Sequence, residues 1–202
     1  VITDDLIKNI LQPLKKNTHK YKQGKVLILA GSEGMTGAAY LATMGALRSG
    51  CGLTKTFAPK SLNNIYERKI TEGMTVLCED KGSGFFTNDN YNQIMENIDW
   101  ADAVLIGPGL GRNKDTVRLL HNLYLEIDKP MVVDADGFSP FYNDFSLLKK
   151  IKNDCVFTPH LGELSKLFDI NVEEFKMDMI NIIEKMTTNM LGVLVAKNDS
   201  TF

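Results

Sequence analysis

A chain of 202 residues with 44% hydrophobic and 24% charged side chains is long enough for one α/β domain with an ordinary buried core. Its 23 basic and 25 acidic residues leave a formal net charge of −2, which supplies no electrostatic footprint for nucleic acid or an anionic membrane. Cys51, Cys78 and Cys155 lack CxxC or Cys/His spacing and read as reduced core thiols of a cytoplasmic protein. No apolar run approaches the roughly 20 residues of a membrane span, and the acidic start Val1-Ile2-Thr3-Asp4-Asp5 does not read as a signal peptide.

In chain order, residues 3–14 predict a helix with Thr3 as N-cap and Ile7, Ile10, Leu11 and Leu14 on one face. A polar, basic loop from Asn17 to Gly24 carries His19-Lys20. Lys25–Ala30 then forms an unbroken apolar run of strand length, the pattern of a strand buried on both faces. Further strands are predicted at Leu53–Ala58, Thr75–Cys78, Ala103–Ile106, Met131–Val133, Cys155–Phe157 and Val193–Ala196. Helices are predicted at Thr36–Arg48, Ser61–Arg68, Asp89–Asn97, Lys114–Leu125, Phe145–Lys150, Leu161–Phe168 and Val172–Met186. This alternation predicts a single domain with a mainly parallel sheet between helices. The Gly-rich stretch Glu79 to Asn90 reads as an exposed loop, Trp100 as core, and His121 as a packed or surface histidine. Because the chain opens on Val1 and stops at Thr201-Phe202 just after a strand-like run, both ends are read as cuts.

Open α/β sheets bind ligands beyond the carboxyl ends of their strands, so the residues that follow each strand are the candidates. Gly31, Gly34 and Gly37 follow the first strand and open a helix, where bare backbone N–H groups can approach an anion or simply make a tight turn. Gly107-Pro108-Gly109-Leu110-Gly111 forms a second such turn after the fourth strand. The pair favours a cleft for a large, flat or phosphorylated ligand. Asp134 and Asp136 follow the fifth strand at i and i+2, so both carboxylates can face one way and hold Mg²⁺ through water. Asp136 can equally cap the turn after it. After the sixth strand, His160 is a candidate ligand contact, proton-transfer group or cap. Glu163 falls in a first helical turn, where a carboxylate is favourable without any function. No second His or Cys stands at zinc-ligand spacing.

Taken together, His19-Lys20, Lys25–Thr36 with Gly37-Ala38-Ala39, Ala46–Gly50, Gly107–Gly111, Val133–Asp136, Thr158–Glu163 and the last strand with Lys197 and Thr201 resemble the ADP/ATP-dependent NAD(P)H-hydrate dehydratase family. The resemblance spans essentially the whole chain and implies a ribokinase-like fold, a three-layer αβα domain whose final segment is missing here. It implies phosphorylation of hydrated NADH or NADPH on its ring hydroxyl by ADP or ATP with Mg²⁺, then elimination of phosphate. By the same resemblance Ala39, Gly109 and His160 would hold the hydrated dinucleotide, and Lys197, Asn198, Asp199, Ser200 and Thr201 the adenine nucleotide. Glu163 would stand near metal and phosphate. A homo-oligomer and a fused or separate epimerase partner are also implied. The family's base is the aspartate of a Gly-x-Gly-Asp loop; none occurs in the 202 residues, so the chain as given is expected to bind without completing the reaction. Leu161 stands where the family has proline, and Asn198 where it has glycine. Two other readings fit the same loops: a vitamin or sugar kinase of this fold, and a non-catalytic nucleotide-binding module.

Overall fold

A computed structural model of the chain describes residues 2–11, 13, 16–151, 153–188 and 190–198. Its strands are β1 (Lys25–Leu29), β2 (Leu53–Pro59), β3 (Met74–Cys78), β4 (Ala103–Ile106), β5 (Met131–Val133), β6 (Cys155–Phe157) and β7 (Val193–Leu194). They form one seven-stranded sheet in the order β3-β2-β1-β4-β5-β6-β7, every pairing parallel. The helices are α1 (Asp4–Ile10), α2 (Thr36–Arg48), α3 (Asn63–Lys69), α4 (Tyr91–Ile98), α5 (Lys114–Glu126), α6 (Ser139–Asn143), α7 (Leu161–Phe168), α8 (Val172–Met177) and α9 (Met179–Thr187). Strand order reverses direction between β1 and β4, which makes that gap the topological switch point.

Alternation along each strand divides the core in two. Leu27 and Leu29 of β1, Phe57 of β2, and Val104, Ile106, Val133 and Phe157 of the later strands face one side, where α4 to α8 pack on them. Tyr124, Phe138, Phe141 and Phe157 stack there with ring centroids 5.0 to 6.4 Å apart. Ile28, Ala30 and Ala58 face the other side, covered by Ala39 of α2 and by Tyr66 of α3 and Ile70 just after it. A buried hydrogen bond of 2.7 Å between Thr43 of α2 and Thr56 of β2 satisfies both hydroxyls in that layer. Beyond β4 this second side is open among the described residues: a groove of about 590 Å³ is lined by Leu41, Ala42, Leu105 and Val132, and one of about 290 Å³ by Val132, Val156 and Val193.

Several local expectations are corrected. The first helix ends at Ile10 and buries none of its side chains, because two turns without a packed face gain little; Leu14 lies outside the described residues. Residues 145–150 wind as a 3₁₀ turn started by Asp144, whose carboxylate accepts Ser146 N at 3.1 Å. The predicted helix over 172–186 breaks at Asp178 (φ −144°), which accepts from the Asn181 amide at 2.6 Å and begins α9. The stretch from Glu79 to Asn90 is not simply exposed: Asp80, Phe86 and Asn90 are buried. Trp100 is half-buried at the rim, with the ammonium groups of Lys25 and Lys55 at 5.7 and 4.5 Å from its ring centre. Cys78 and Cys155 are buried free thiols, pushed up to about 12 by burial, whereas Cys51 is only partly covered. Among the described residues no helix is long and apolar enough to cross a membrane.

The two sides of β5 should respond unequally to truncation. Val133→Ala, in the packed core, is expected to cost about 2 kcal/mol, and Val132→Ala, lining the open grooves, less than half of that. Urea unfolding midpoints of the two variants measure the difference; equal losses would mean that the open side is covered in solution.

Candidate functional site

The loops beyond β1 and β4 meet at the switch point. Gly31 N donates to Pro108 O at 2.8 Å, and Ser32 Oγ donates to Gly109 O at 2.8 Å. A Cβ on Gly31 would collide with Tyr66, and one on Gly109 would stand 2.8 Å from the Ala38 methyl. Gly107 is the most constrained: φ is +130°, and a Cβ there would fall on the carbonyl oxygen of Asp134. These glycines therefore serve close packing of one loop on another. Gly34 and Gly37, by contrast, face open space. The N-terminus of α2 beside them carries no side-chain cap, although Ala38 N already donates to Met35 O at 3.0 Å. The side chain of Ala39 is fully buried against Gly31, and its smallness lets α2 approach the loop.

A second loop braces this one. Gly84 O accepts from Glu33 N at 2.9 Å, and Asp80 holds the turn that presents Gly84. The Asp80 carboxylate accepts Ser61 Oγ at 2.5 Å, Ser61 N at 3.1 Å and Gly84 N at 2.7 Å. Burial pushes this carboxyl up, but the hydrogen bonds outweigh it and hold the group below its ordinary value.

The two aspartates after β5 do not share a direction. Ala135 between them has φ +52°, a left-handed turn that rotates the chain out of strand geometry. Asp134 accordingly faces β6 and β7: its Oδ1 accepts Thr158 Oγ1 at 2.8 Å and Lys197 Nζ at 2.8 Å. Asp136 faces β4, accepting Gly111 N at 3.0 Å and Arg112 Nε at 3.2 Å, so it caps a neighbouring loop rather than its own turn. Lys197 is also tied by its backbone, donating from N to Pro159 O at 2.9 Å in an isolated parallel bridge with His160.

His160 is the N-cap of α7. Its Nδ1 accepts Gly162 N at 2.9 Å, while Glu163 Oε2 accepts His160 N at 2.9 Å, completing a reciprocal capping box. Glu163 is buried; the His160 ring is 60% exposed, with Nε2 at 3.3 Å from Glu163 Oε1. Behind them, burial pushes the Tyr142 phenol up to about 12, with Glu163 and Asp136 adding and Arg112 opposing. Asn198 is exposed, and Asp199, Ser200 and Thr201 lie outside the described residues. Asp134, Asp136 and Glu163 each already hold a partner, and among the described residues no three His, Cys, Asp or Glu side chains converge as metal ligands. These carboxylates do not form a cage for a cation.

The strand ends thus bring Gly109, Asp134, His160 and Lys197 to one rim of the parallel sheet. The sequence pattern of NAD(P)H-hydrate dehydratases matches residues 26–202. The chain belongs to the NAD(P)H-hydrate dehydratase family. Within it, the chain is 37% identical over 194 residues to a bifunctional NAD(P)H-hydrate repair enzyme of Dictyoglomus turgidum, covering 93% of this chain and 37% of that protein. It is 29% identical over 203 residues to the ADP-dependent (S)-NAD(P)H-hydrate dehydratase of Lactococcus lactis, covering 99% of this chain and 68% of that enzyme. A ribokinase-like superfamily protein of Enterococcus faecalis superposes with a TM-score of 0.79 at 20% identity, covering 99% of this chain and 66% of that one, which establishes the fold. The chain thus spans little more than a third of the length of the first of these family members.

Two outcomes test this geometry. Gly107→Ala is expected to destabilise the chain by more than about 2 kcal/mol or to prevent folding, whereas Gly37→Ala keeps or slightly raises stability, as a helix-interior change. Thermal melts distinguish them; a stable Gly107→Ala would contradict the close approach. Asp80, held below its ordinary value, stabilises the fold above the unfolded-state pKa near about 4, and that contribution is lost as pH falls through the lower folded value. The stability gap between wild type and Asp80→Asn should therefore be full at pH 7 and close on acidification. A gap independent of pH would refute it.

Proposed function

We propose nucleotide-dependent dehydration of hydrated NADH or NADPH, in the S epimer, as the function of this protein. The observation that carries the reading is the convergence of Lys197 and Asp134, joined at 2.8 Å, beside His160 and the interlocked glycine loops. Family membership supplies the chemistry, and the name of the Lactococcus lactis relative supplies the nucleotide. In this reading the terminal phosphoryl group of ADP or ATP passes to the ring hydroxyl of the hydrate. The phosphate then leaves with the C–O bond electrons, a ring proton is lost, and the dihydronicotinamide is restored.

In this reading the family resemblance supplies the roles. Gly109, packed on Met35 and Ala38, shapes the wall beside the dinucleotide, the exposed ring of His160 contacts it, and Ala39 sets the approach of α2. Lys197 and Asn198, with Asp199, Ser200 and Thr201, take the adenine nucleotide. A lysine in this place offers a point charge to phosphate, and Asp134 fixes its direction. Asp136 and Glu163 organise the loop and the α7 cap behind the phosphates. Mg²⁺ accompanies the nucleotide in this reading and would supply charge neutralisation at its phosphates. No Gly-x-Gly-Asp occurs in the 202 residues, and no base is assigned among them. The reading further includes a homo-oligomeric, cytoplasmic protein working with an epimerase activity, fused or separate.

The full-length protein is mixed with hydrated NADH, ADP or ATP, and Mg²⁺, and the dihydronicotinamide absorbance is followed. Its recovery is expected; no recovery with either nucleotide refutes the assignment, and a stable phosphorylated product would instead mark a kinase. His160→Ala should weaken binding of the hydrated cofactor by about tenfold more than binding of ADP, roughly the worth of one hydrogen bond. Calorimetric titration of both ligands measures this, and equal losses would leave His160 only its capping role.

A further inference from the structure

On the α5 and α6 side of the strand ends lies a cavity of about 660 Å³ that none of the roles above uses. Its lining carries three cations, Arg112, Lys114 and Arg118, and the imidazole of His121. Asp144 is the one carboxylate among the lining residues, and it is engaged with Ser146 at 3.1 Å and Lys150 at 3.7 Å. Behind the lining, Asp136 and Glu163 lie near enough to raise the Tyr142 phenol, and Arg112, bonded to Asp136 through Nε at 3.2 Å, opposes them. Lys114 and Arg118 form no ion pair among the described residues.

The decisive feature is a pair of orphaned hydroxyls. Ser139 is 5% exposed and lines the cavity, yet among the described residues its Oγ has no hydrogen-bond partner; Tyr142 Oη is buried and equally unpartnered among them. An unsatisfied buried hydroxyl costs about 1–3 kcal/mol, so two at one cavity call for an acceptor from outside the chain. Val117, Pro140 and the Tyr142 ring make the remaining wall apolar. Cations, two free hydroxyl donors and a flat apolar wall together suit a multi-oxygen anion attached to a planar body.

We propose that this cavity binds the phosphate of a nucleoside phosphomonoester, with Arg118, Ser139 and Tyr142 as ligands to the phosphate oxygens. Two sources carry that chemistry. One is the phosphorylated ribose of the hydrated dinucleotide itself, which would make the cavity an extension of the cleft proposed above. The other is a separate phosphorylated effector. Binding of the monophosphate tests the site without reference to the dehydratase reading; only the choice of source rests on that reading.

Adenosine 2′-monophosphate, inorganic phosphate and adenosine are titrated against the full-length protein, wild type and the variants Arg118→Ala and Ser139→Ala. The nucleotide is expected to bind, adenosine at least tenfold more weakly, and each variant to weaken nucleotide binding about fivefold to tenfold. Inorganic phosphate should compete with the nucleotide. Ser139→Ala removes a hydroxyl that has no partner, so its melting temperature should not fall, and its affinity loss cannot be ascribed to unfolding. Unchanged affinity in both variants, equal binding of adenosine, or no binding because a second copy closes the cavity would overturn the proposal. Displacement of the bound nucleotide by hydrated NADPH but not by hydrated NADH assigns the phosphate to the substrate's ribose, and displacement by neither assigns it to a separate molecule. Equal displacement by both would place a pyrophosphate bridge, not a monoester, in the cavity and overturn the proposal.

Discussion

Where β4 and β5 end, the backbone of Gly107 lies directly on the carbonyl of Asp134, and Asp134 N returns a hydrogen bond to Ile106 O at 3.0 Å. This contact permits no side chain, and much of the rim is aligned by it. It places Gly109 against the loop from β1, and it starts the left-handed turn at Ala135 that sends Asp134 and Asp136 in opposite directions. From that divergence each aspartate ties a different neighbour: Asp134 reaches Thr158 and Lys197, and Asp136 reaches Gly111 and Arg112. A single steric constraint thus links the ends of β1, β4, β5, β6 and β7. Parallel strands make such a linkage available because all their carboxyl ends lie on one edge.

The polar groups at this edge are organised more by one another than by solvent. Glu163 is buried within a capping box, Asp134 is held by a lysine and a threonine, and Asp80 is enclosed by three donors. Such satisfied carboxylates give rigidity to loops that would otherwise be the least stable parts of an α/β domain. What remains open to a ligand is correspondingly specific: the exposed ring of His160, the uncapped start of α2 beside Gly34 and Gly37, and the partly exposed ammonium of Lys197.

Much of this architecture was legible from residue patterns. Apolar runs such as Lys25–Ala30 and Met131–Val133 marked strands, although Val132 of the second lines an open groove, and the residues after them marked the rim. Three kinds of feature were not legible. The separation of Asp134 from Asp136 depends on one backbone dihedral at an alanine, a residue that does not announce positive φ. The burial of Asp80 and Phe86 within a glycine-rich stretch comes from tertiary partners, Ser61 and the β1 loop, far away in sequence. The break at Asp178 interrupts an apolar periodicity that continues on both sides; it rests on the extended φ of −144° at that residue, which apolar spacing does not announce. The glycines at strand ends marked loops that meet at the switch point, but their spacing does not separate those that pack from those that face open space.

The open side of β4, β5 and β6 has a thermodynamic consequence. Leu41 is 69% exposed, and Leu105, Val132 and Val156 keep part of their surface wetted along the two grooves. Apolar area already hydrated in the native state is not newly hydrated on unfolding, and each such Å² removes about 0.45 cal/mol/K from the heat-capacity increment. The chain therefore unfolds with a smaller ΔCp than an α/β domain of equal length covered on both sides. Its stability curve is flatter, with a shallower dependence on temperature on either side of the maximum.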